Sequence, residues 1–185
     1  IDAAIAEVIA QSAFIRGPFV ERFEAEFAQM MAAQACVSCA NGTDALYIAM
    51  RALGTGLGDE VVTTAHSWFS TSETIGQPAD MPAIMAIAER HGLWVVEDCA
   101  QGHLARIDGR LVGSFGRVAT WSFYPGKNLG AMGDAGAITT NDPVLADKMA
   151  AFARHGGLRK GDHLVEGINS RLDGLQAAIL SVKLP

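Results

Sequence analysis

The run Ser122-Phe123-Tyr124-Pro125-Gly126-Lys127-Asn128-Leu129-Gly130, continuing through Gly133 and Gly136, concentrates the groups best suited to chemistry. An apolar, β-prone segment from Val118 to Tyr124 ends in a Pro-Gly turn, and one lysine follows inside a glycine-rich loop. Glycine lets backbone crowd against something flat or charged. A lysine placed there is a solvated charge, a phosphate anchor, or an amine that condenses with a carbonyl. Spacing removes the nucleotide readings. A triphosphate loop needs glycine five residues before Gly126 and Ser or Thr after Lys127, where Trp121 and Asn128 stand. A dinucleotide fingerprint needs Gly-x-Gly-x-x-Gly between strand and helix. Gly130 to Gly136 lacks the close first pair, and Gly54-Thr55-Gly56-Leu57-Gly58 follows a helical pattern. Taken alone, Lys127 is an ordinary loop lysine; it needs partners.

Three other strand ends supply them. Ala35 to Ala40 reads as a strand, followed by Asn41-Gly42-Thr43-Asp44 and a helix from Ala45 to Leu53. That order aims free backbone N–H groups and a helix dipole at an anion, although a plain N-cap explains the same residues. Asp59 to Thr64 reads as a strand ending in Ala65-His66-Ser67-Trp68-Phe69, whose aromatics suit the face of a planar ligand or the core. Leu93 to Asp98 reads as a buried strand running into Glu97-Asp98-Cys99-Ala100-Gln101. Neighbouring strand residues face opposite sides, so Glu97 and Asp98 form no carboxylate dyad. One of them sits at the carboxyl end of a parallel-type strand, where open α/β sheets bind ligands.

The remaining elements position these ends. Asp2 to Gln11 and Val20 to Ala32 are expected helices, the second with Val20, Phe23, Phe27 and Met30/Met31 as its core stripe. Asp80 caps a helix to His91 that Gly92 stops, and Asp142 with Pro143 opens another to Arg154. Asp108-Gly109-Arg110 makes a hairpin turn, Ala137 to Thr140 a strand, and Gly167 to Asp173 opens a last helix. The alternation of β and α breaks once. Ser70 to Ile75 starts a helix, and Gly76-Gln77-Pro78-Ala79 leads directly into the next, so residues are expected to be missing between Ile75 and Gly76.

Bulk properties bound the rest. The 185 residues, half of them hydrophobic, suffice for one globular domain. A net charge of −6 argues against a nucleic-acid or anionic-membrane partner, and no apolar run spans a bilayer. Three cysteines fit a reducing, cytoplasmic compartment. Cys36 and Cys39 have redox-motif spacing but lie within a strand, and the five histidines show no ligand spacing, so no metal is expected.

An anion cradle, an aromatic, a carboxylate and a lysine with Ser122 before it match one ligand: pyridoxal 5'-phosphate (PLP), with its phosphate, flat ring, ring nitrogen and aldehyde. At these residues the chain resembles the DegT/StrS-type nucleotide-sugar aminotransferases of the fold type I superfamily, from about Arg16 to Pro185. The resemblance implies an α/β fold: the PLP-binding large domain over 1–185, with a mostly parallel central sheet flanked by helices, and incomplete. About thirty further residues, room for about two strands of 5–6 residues, are expected at the 75/76 break, and a C-terminal small domain beyond the end. It implies that Gly42 and Thr43 hold the phosphate, Trp68 stacks on the ring, Asp98 binds the ring nitrogen, and Gln101 approaches the ring hydroxyl. Ser122 would bind phosphate and Lys127 would form the Schiff base, while Asn169 would reach the partner's cofactor in a homodimer. Glutamate would donate the amino group to a nucleotide-linked keto sugar. A relative that removes a sugar hydroxyl carries histidine at the lysine position, and Lys127 argues against that branch. A lyase of the same superfamily and a non-catalytic, regulatory relative are the alternatives.

Overall fold

The computed structural model describes residues 1–63, 78–159, 161 and 163–185. Helices form where apolar spacing and caps agree. They are α1 (Asp2–Ala10), α2 (Pro18–Met30), α3 (Gly42–Ala52), α4 (Met81–His91), α5 (Pro143–Ala153) and α6 (Gly174–Lys183). Side-chain caps start three of them. Asn41 accepts from Asp44 N at 2.8 Å, Asp80 from Ala83 N at 3.1 Å, and Asp142 from Leu145 N at 3.1 Å. Gly92 ends α4 in the left-handed conformation, φ +64°, as its position past the last apolar residue predicts.

The strands are β1 (Ala35–Cys39), β2 (Val96–Asp98), β3 (Arg106–Ile107), β4 (Arg110–Leu111), β5 (Val118–Ser122) and β6 (Gly136–Thr140). β3 and β4 make the expected hairpin, with Asp108 and Gly109 both at positive φ. The other four form one sheet in the order β1-β6-β5-β2. β2 and β5 are parallel, while β6 runs antiparallel to both β1 and β5. Three of the four strands therefore share a direction, and their carboxyl ends emerge along one edge.

Helices cover both faces. Val20, Phe23 and Phe27 of α2 and Ala177 and Leu180 of α6 pack on Ala119, Trp121 and Ala137. On the other face Ala45, Ile48 and Ala49 of α3 and Leu145 and Met149 of α5 enclose Val37, Cys39, Val118 and Ile138. Burying side chains of this size contributes about 1.5–3 kcal/mol each, so the two clusters fix the strand ends firmly. The methionine and aromatic stripe of α2 is core, as read.

Three expectations are corrected. Residues 59–63, the described part of the expected strand Asp59 to Thr64, form no strand, and Val62 is 94% exposed. A strand needs a neighbour to pair its backbone, and among the described residues the outer edge of β2 carries none. For the same reason the expected strand Leu93 to Asp98 shortens to Val96–Asp98, leaving Leu93 and Trp94 exposed. The segment Gly167 to Asp173 stays extended, and helix begins only at Gly174. Ser70 to Ile75 and the 75/76 junction lie outside the described residues.

Candidate functional site

Pairing registers carry the candidate residues to one place. Cys39 of β1 lies opposite Gly136 of β6, Gly136 opposite Ser122 of β5, and Asp98 of β2 beside Thr120 of β5. The turn after β1, the loop after β5 and the loop after β2 therefore leave the sheet along the same edge. With neighbouring strands about 4.8 Å apart, the span from β1 to β2 is about 14 Å, the scale of one small ligand.

At the first strand end Asn41 caps α3 with its side chain. The N–H groups of Gly42 and Thr43, at the first two helical positions, have no partner inside the helix. Free N–H groups and the positive end of a helix dipole are what a helix start offers to an anion. Gly42 is held against Ser122: a Cβ at Gly42 would lie 2.8 Å from Ser122 Cβ and 3.3 Å from Ser122 Oγ. A Cβ at Gly136 would lie 2.4 Å from the carbonyl carbon of Asn41, so β6 presses on the same turn. Ser122 thus brings its hydroxyl to the helix N-terminus from two strands away.

The lysine loop is closed on itself. Lys127 N donates to Tyr124 O at 2.8 Å, and Ala131 N returns to Phe123 O at 2.7 Å. A Cβ at Gly130 would lie 2.4 Å from Pro125 O, so glycine is required there. From below, α6 pins the loop. Gln176 accepts from Met132 N at 2.8 Å and donates to Met132 O at 3.3 Å, and the Lys183 ammonium donates to Gly130 O. Lys127 itself is half-buried on this fixed loop.

Glu97 and Asp98 point apart, as strand alternation requires. The Glu97 carboxylate is 5% exposed and accepts from Gly113 N, Phe115 N and Gly116 N at 2.6–2.7 Å. Asp98 is exposed at the site edge and, among the described residues, accepts from Ala100 N at 3.1 Å. Gln101 is half-buried in the same loop, and Thr43 is exposed beside Gly42. Asn169 is exposed and bridges to Arg154. Trp68 lies outside the described residues.

Ser170 was not legible as a site residue. Its buried hydroxyl donates to Asp44 Oδ2 at 2.6 Å and accepts from Ala40 N at 3.0 Å, tying the Asn169 segment to the anion turn. No spacing rule announces a contact across 126 residues. The cysteines are core groups. Burial pushes the Cys36, Cys39 and Cys99 thiols up, and all three are free. Among the described residues no cluster of His, Cys, Asp or Glu could hold a metal ion.

The model of the DegT/DnrJ/EryC1/StrS aminotransferase family matches residues 1–76 and 73–185. The pleiotropic regulatory protein of Geobacillus stearothermophilus is 43% identical over 220 residues, covering 97% of this chain and 59% of the relative. The dTDP-3-amino-3,4,6-trideoxy-alpha-D-glucose transaminase of Streptomyces venezuelae is 40% identical over 224 residues, covering 99% of this chain and 59% of the relative. The crystal structure of S. venezuelae DesV in complex with a ketimine intermediate superimposes with a TM-score of 0.92 at 38% identity. It covers 99% of this chain and 60% of that one, so the fold is shared throughout. The chain spans about three fifths of the length of these relatives. The alignments run longer than its own 185 residues, and the two family matches meet at 73–76.

Proposed function

Because the chain belongs to the DegT/DnrJ/EryC1/StrS aminotransferase family, we propose that it binds PLP and serves amino transfer from glutamate to a keto group of a nucleotide-diphosphate sugar. The observation that carries this is the meeting of Gly42 with Ser122 along the edge from which the Lys127 loop departs. The cradle fits a phosphate: it offers N–H donors, a hydroxyl and a helix dipole, and the missing Cβ of Gly42 lets Ser122 pack against the turn. The relatives named as a transaminase and as a ketimine complex support the same chemistry.

In this reading Gly42, Thr43 and Ser122 hold the cofactor phosphate. Asp98 faces the ring nitrogen, Gln101 the ring hydroxyl and Trp68 the ring face. When bound, the cofactor supplies an aldehyde for covalent capture of amines and a ring that withdraws electrons. Lys127 would hold the aldehyde end of the cofactor, and its amine, once free, would take a proton from the substrate and return it. The closed loop fixes where that amine can reach. Asn169, anchored through Ser170, reaches the site of the other protomer in a homodimer. Residues 1–185 form the PLP-binding large domain, interrupted at 75/76 by a segment that the relatives carry. Sequencing of the transcript across Ile75–Gly76 tests the interruption, and an unbroken reading there would remove it. No helix among the described residues is long and apolar enough to cross a membrane, and a cytoplasmic setting fits the three free thiols.

The deciding experiment supplies PLP, glutamate and a panel of nucleotide-linked keto sugars. It follows 2-oxoglutarate formation and the aminated sugar by mass. Stoichiometric transfer is expected; product of elimination without transfer would favour a lyase. The name of the Geobacillus relative favours one further reading, a regulatory role. Folded, dimeric protein that takes up no PLP would support it over the enzyme.

Steric contact at the cradle gives a direct test. Gly42→Ala is expected to weaken PLP binding at least about tenfold, since its methyl must displace Ser122 from the phosphate. Ser122→Ala, which removes one hydrogen bond to a charged group, is expected to cost about as much without a clash. Fluorescence titration with PLP reads both. Unchanged affinity in Gly42→Ala would place the phosphate elsewhere.

A further inference from the structure

Asp44 stands where its charge opposes the binding of an anion. Asn41-Gly42-Thr43-Asp44 has the spacing of a capping box, in which an acid at the third helical position folds back onto the N–H of the cap residue. Such a carboxylate would lie at the helix start, the place an incoming anion must occupy. It would take a donor from that anion and repel it as a like charge.

In the structure the Asp44 carboxylate is engaged elsewhere. Asp44 N donates to the Asn41 side chain at 2.8 Å, which is one half of the box. Asp44 Oδ2, however, accepts from the Ser170 hydroxyl at 2.6 Å, and among the described residues no bond runs from Asn41 N to Asp44. Ser170 is 1% exposed, and its backbone is not free to follow the turn. Ser170 N donates to Ala153 O at 3.0 Å and Ile168 N to Phe152 O at 2.7 Å, which fastens the segment to the end of α5. The same hydroxyl accepts from Ala40 N at 3.0 Å. One serine therefore grips the chain just before the turn and just after it.

We propose that Ser170 is a positioning residue that keeps the anion turn open by holding the Asp44 carboxylate off it. With this tether in place, the N–H groups at the start of α3 are left to a phosphate. Without it, Asp44 completes the capping box and becomes a built-in competitor for those donors. The turn itself supplies the competitor, and a hydrogen bond across 126 residues restrains it. No covalent bond is made or broken in this role. The proposal rests on the reading of Gly42, Thr43 and Ser122 as the phosphate site, and its test separates the two.

Fluorescence titration with PLP and with pyridoxal, which has the same aldehyde and no phosphate, isolates the share of binding that the phosphate supplies. The readout is the ratio of the two affinities, because damage remote from the turn weakens both ligands alike. Ser170→Ala is expected to lower the preference for PLP about tenfold, with pyridoxal bound as in the parent. Ser170→Cys, close in volume and a weaker donor, is expected to lose part of the preference, and it guards against an alanine variant that fails to fold. Adding Asp44→Ala to Ser170→Ala removes the competitor and is expected to restore the preference to within about threefold of the parent. Equal preference in the parent and in Ser170→Ala would overturn the proposal and leave the phosphate reading intact. A loss that Asp44→Ala fails to restore would overturn it too, since Ser170 would then support the turn without restraining its acid. A parent that binds pyridoxal as tightly as PLP would sink the phosphate reading and the proposal with it.

Discussion

Lys127→Arg, purified with added PLP, is expected to lack the visible band of lysine-bound cofactor and to lose amino transfer by at least about 10⁴-fold. Two contributions disappear together. A positioned acid–base group supplies roughly 10²–10⁴-fold in rate, and covalent capture of the aldehyde opens the route that this group serves. Arginine keeps the positive charge, so the loss cannot be ascribed to electrostatics at the loop. It also never gives up its proton near neutral pH, and its planar head cannot condense as an amine does. The loop should survive the change. Its closure runs through backbone bonds from Lys127 N to Tyr124 O and from Ala131 N to Phe123 O, and none of these uses the lysine side chain. Far-ultraviolet circular dichroism should therefore match the parent. Lys127→Ala should behave alike, with added methylamine restoring a fraction of the proton shuttle. An arginine variant that still transfers the amino group would move the chemistry to another nucleophile.

Local rules made much of this legible. Asp80 and Asp142 announce helix starts because a cap is decided within three residues, and the structure agrees at both. At the other start Asn41 is the cap among the three candidates Asn41, Thr43 and Asp44, and the helix begins at Gly42 rather than Ala45. The Asp108-Gly109 turn and the Gly92 stop are local in the same way. The gathering of Gly42, Ser122 and Asp98 along one edge follows from strand direction, which the β–α alternation implies. What escaped is non-local. Whether residues 59–63 become a strand depends on a neighbour for the edge of β2, and no window of sequence contains that neighbour. Ser170 binding Asp44 and Gln176 holding Met132 join segments far apart in the chain, through polar atoms that carry no periodicity.

Glu97 is the residue where adjacent acids separate into two kinds of work, and its removal carries the largest expected loss of stability. Alternation along β2 sends Asp98 to the solvent edge and Glu97 inward, beneath the loop that leads into β5. There Oε1 takes the N–H groups of Phe115 and Gly116 at 2.7 and 2.6 Å, and Oε2 takes that of Gly113 at 2.7 Å. The loop cannot move off to find water. A Cβ at Gly116 would lie 2.6 Å from Val95 O, and one at Gly113 would strike the Trp121 ring at 2.6 Å. Glu97→Ala leaves three part-buried donors unpaired. At about 1–3 kcal/mol each, the cost is expected to be at least about 3 kcal/mol, a large fraction of a domain's total stability. Glu97→Gln should fall between: its carbonyl oxygen still serves one side of the fork, while its amide sets donor against donor on the other. Asp98→Asn, by contrast, should leave stability within about 0.5 kcal/mol, because its carboxylate is exposed, and should act only on bound cofactor. Urea unfolding of the three variants gives the order directly. A Glu97→Ala protein as stable as the parent would mean that the loop finds other acceptors. It would then remove Glu97 as the support that holds β5, with Ser122 and Lys127 beyond it, in register against β2.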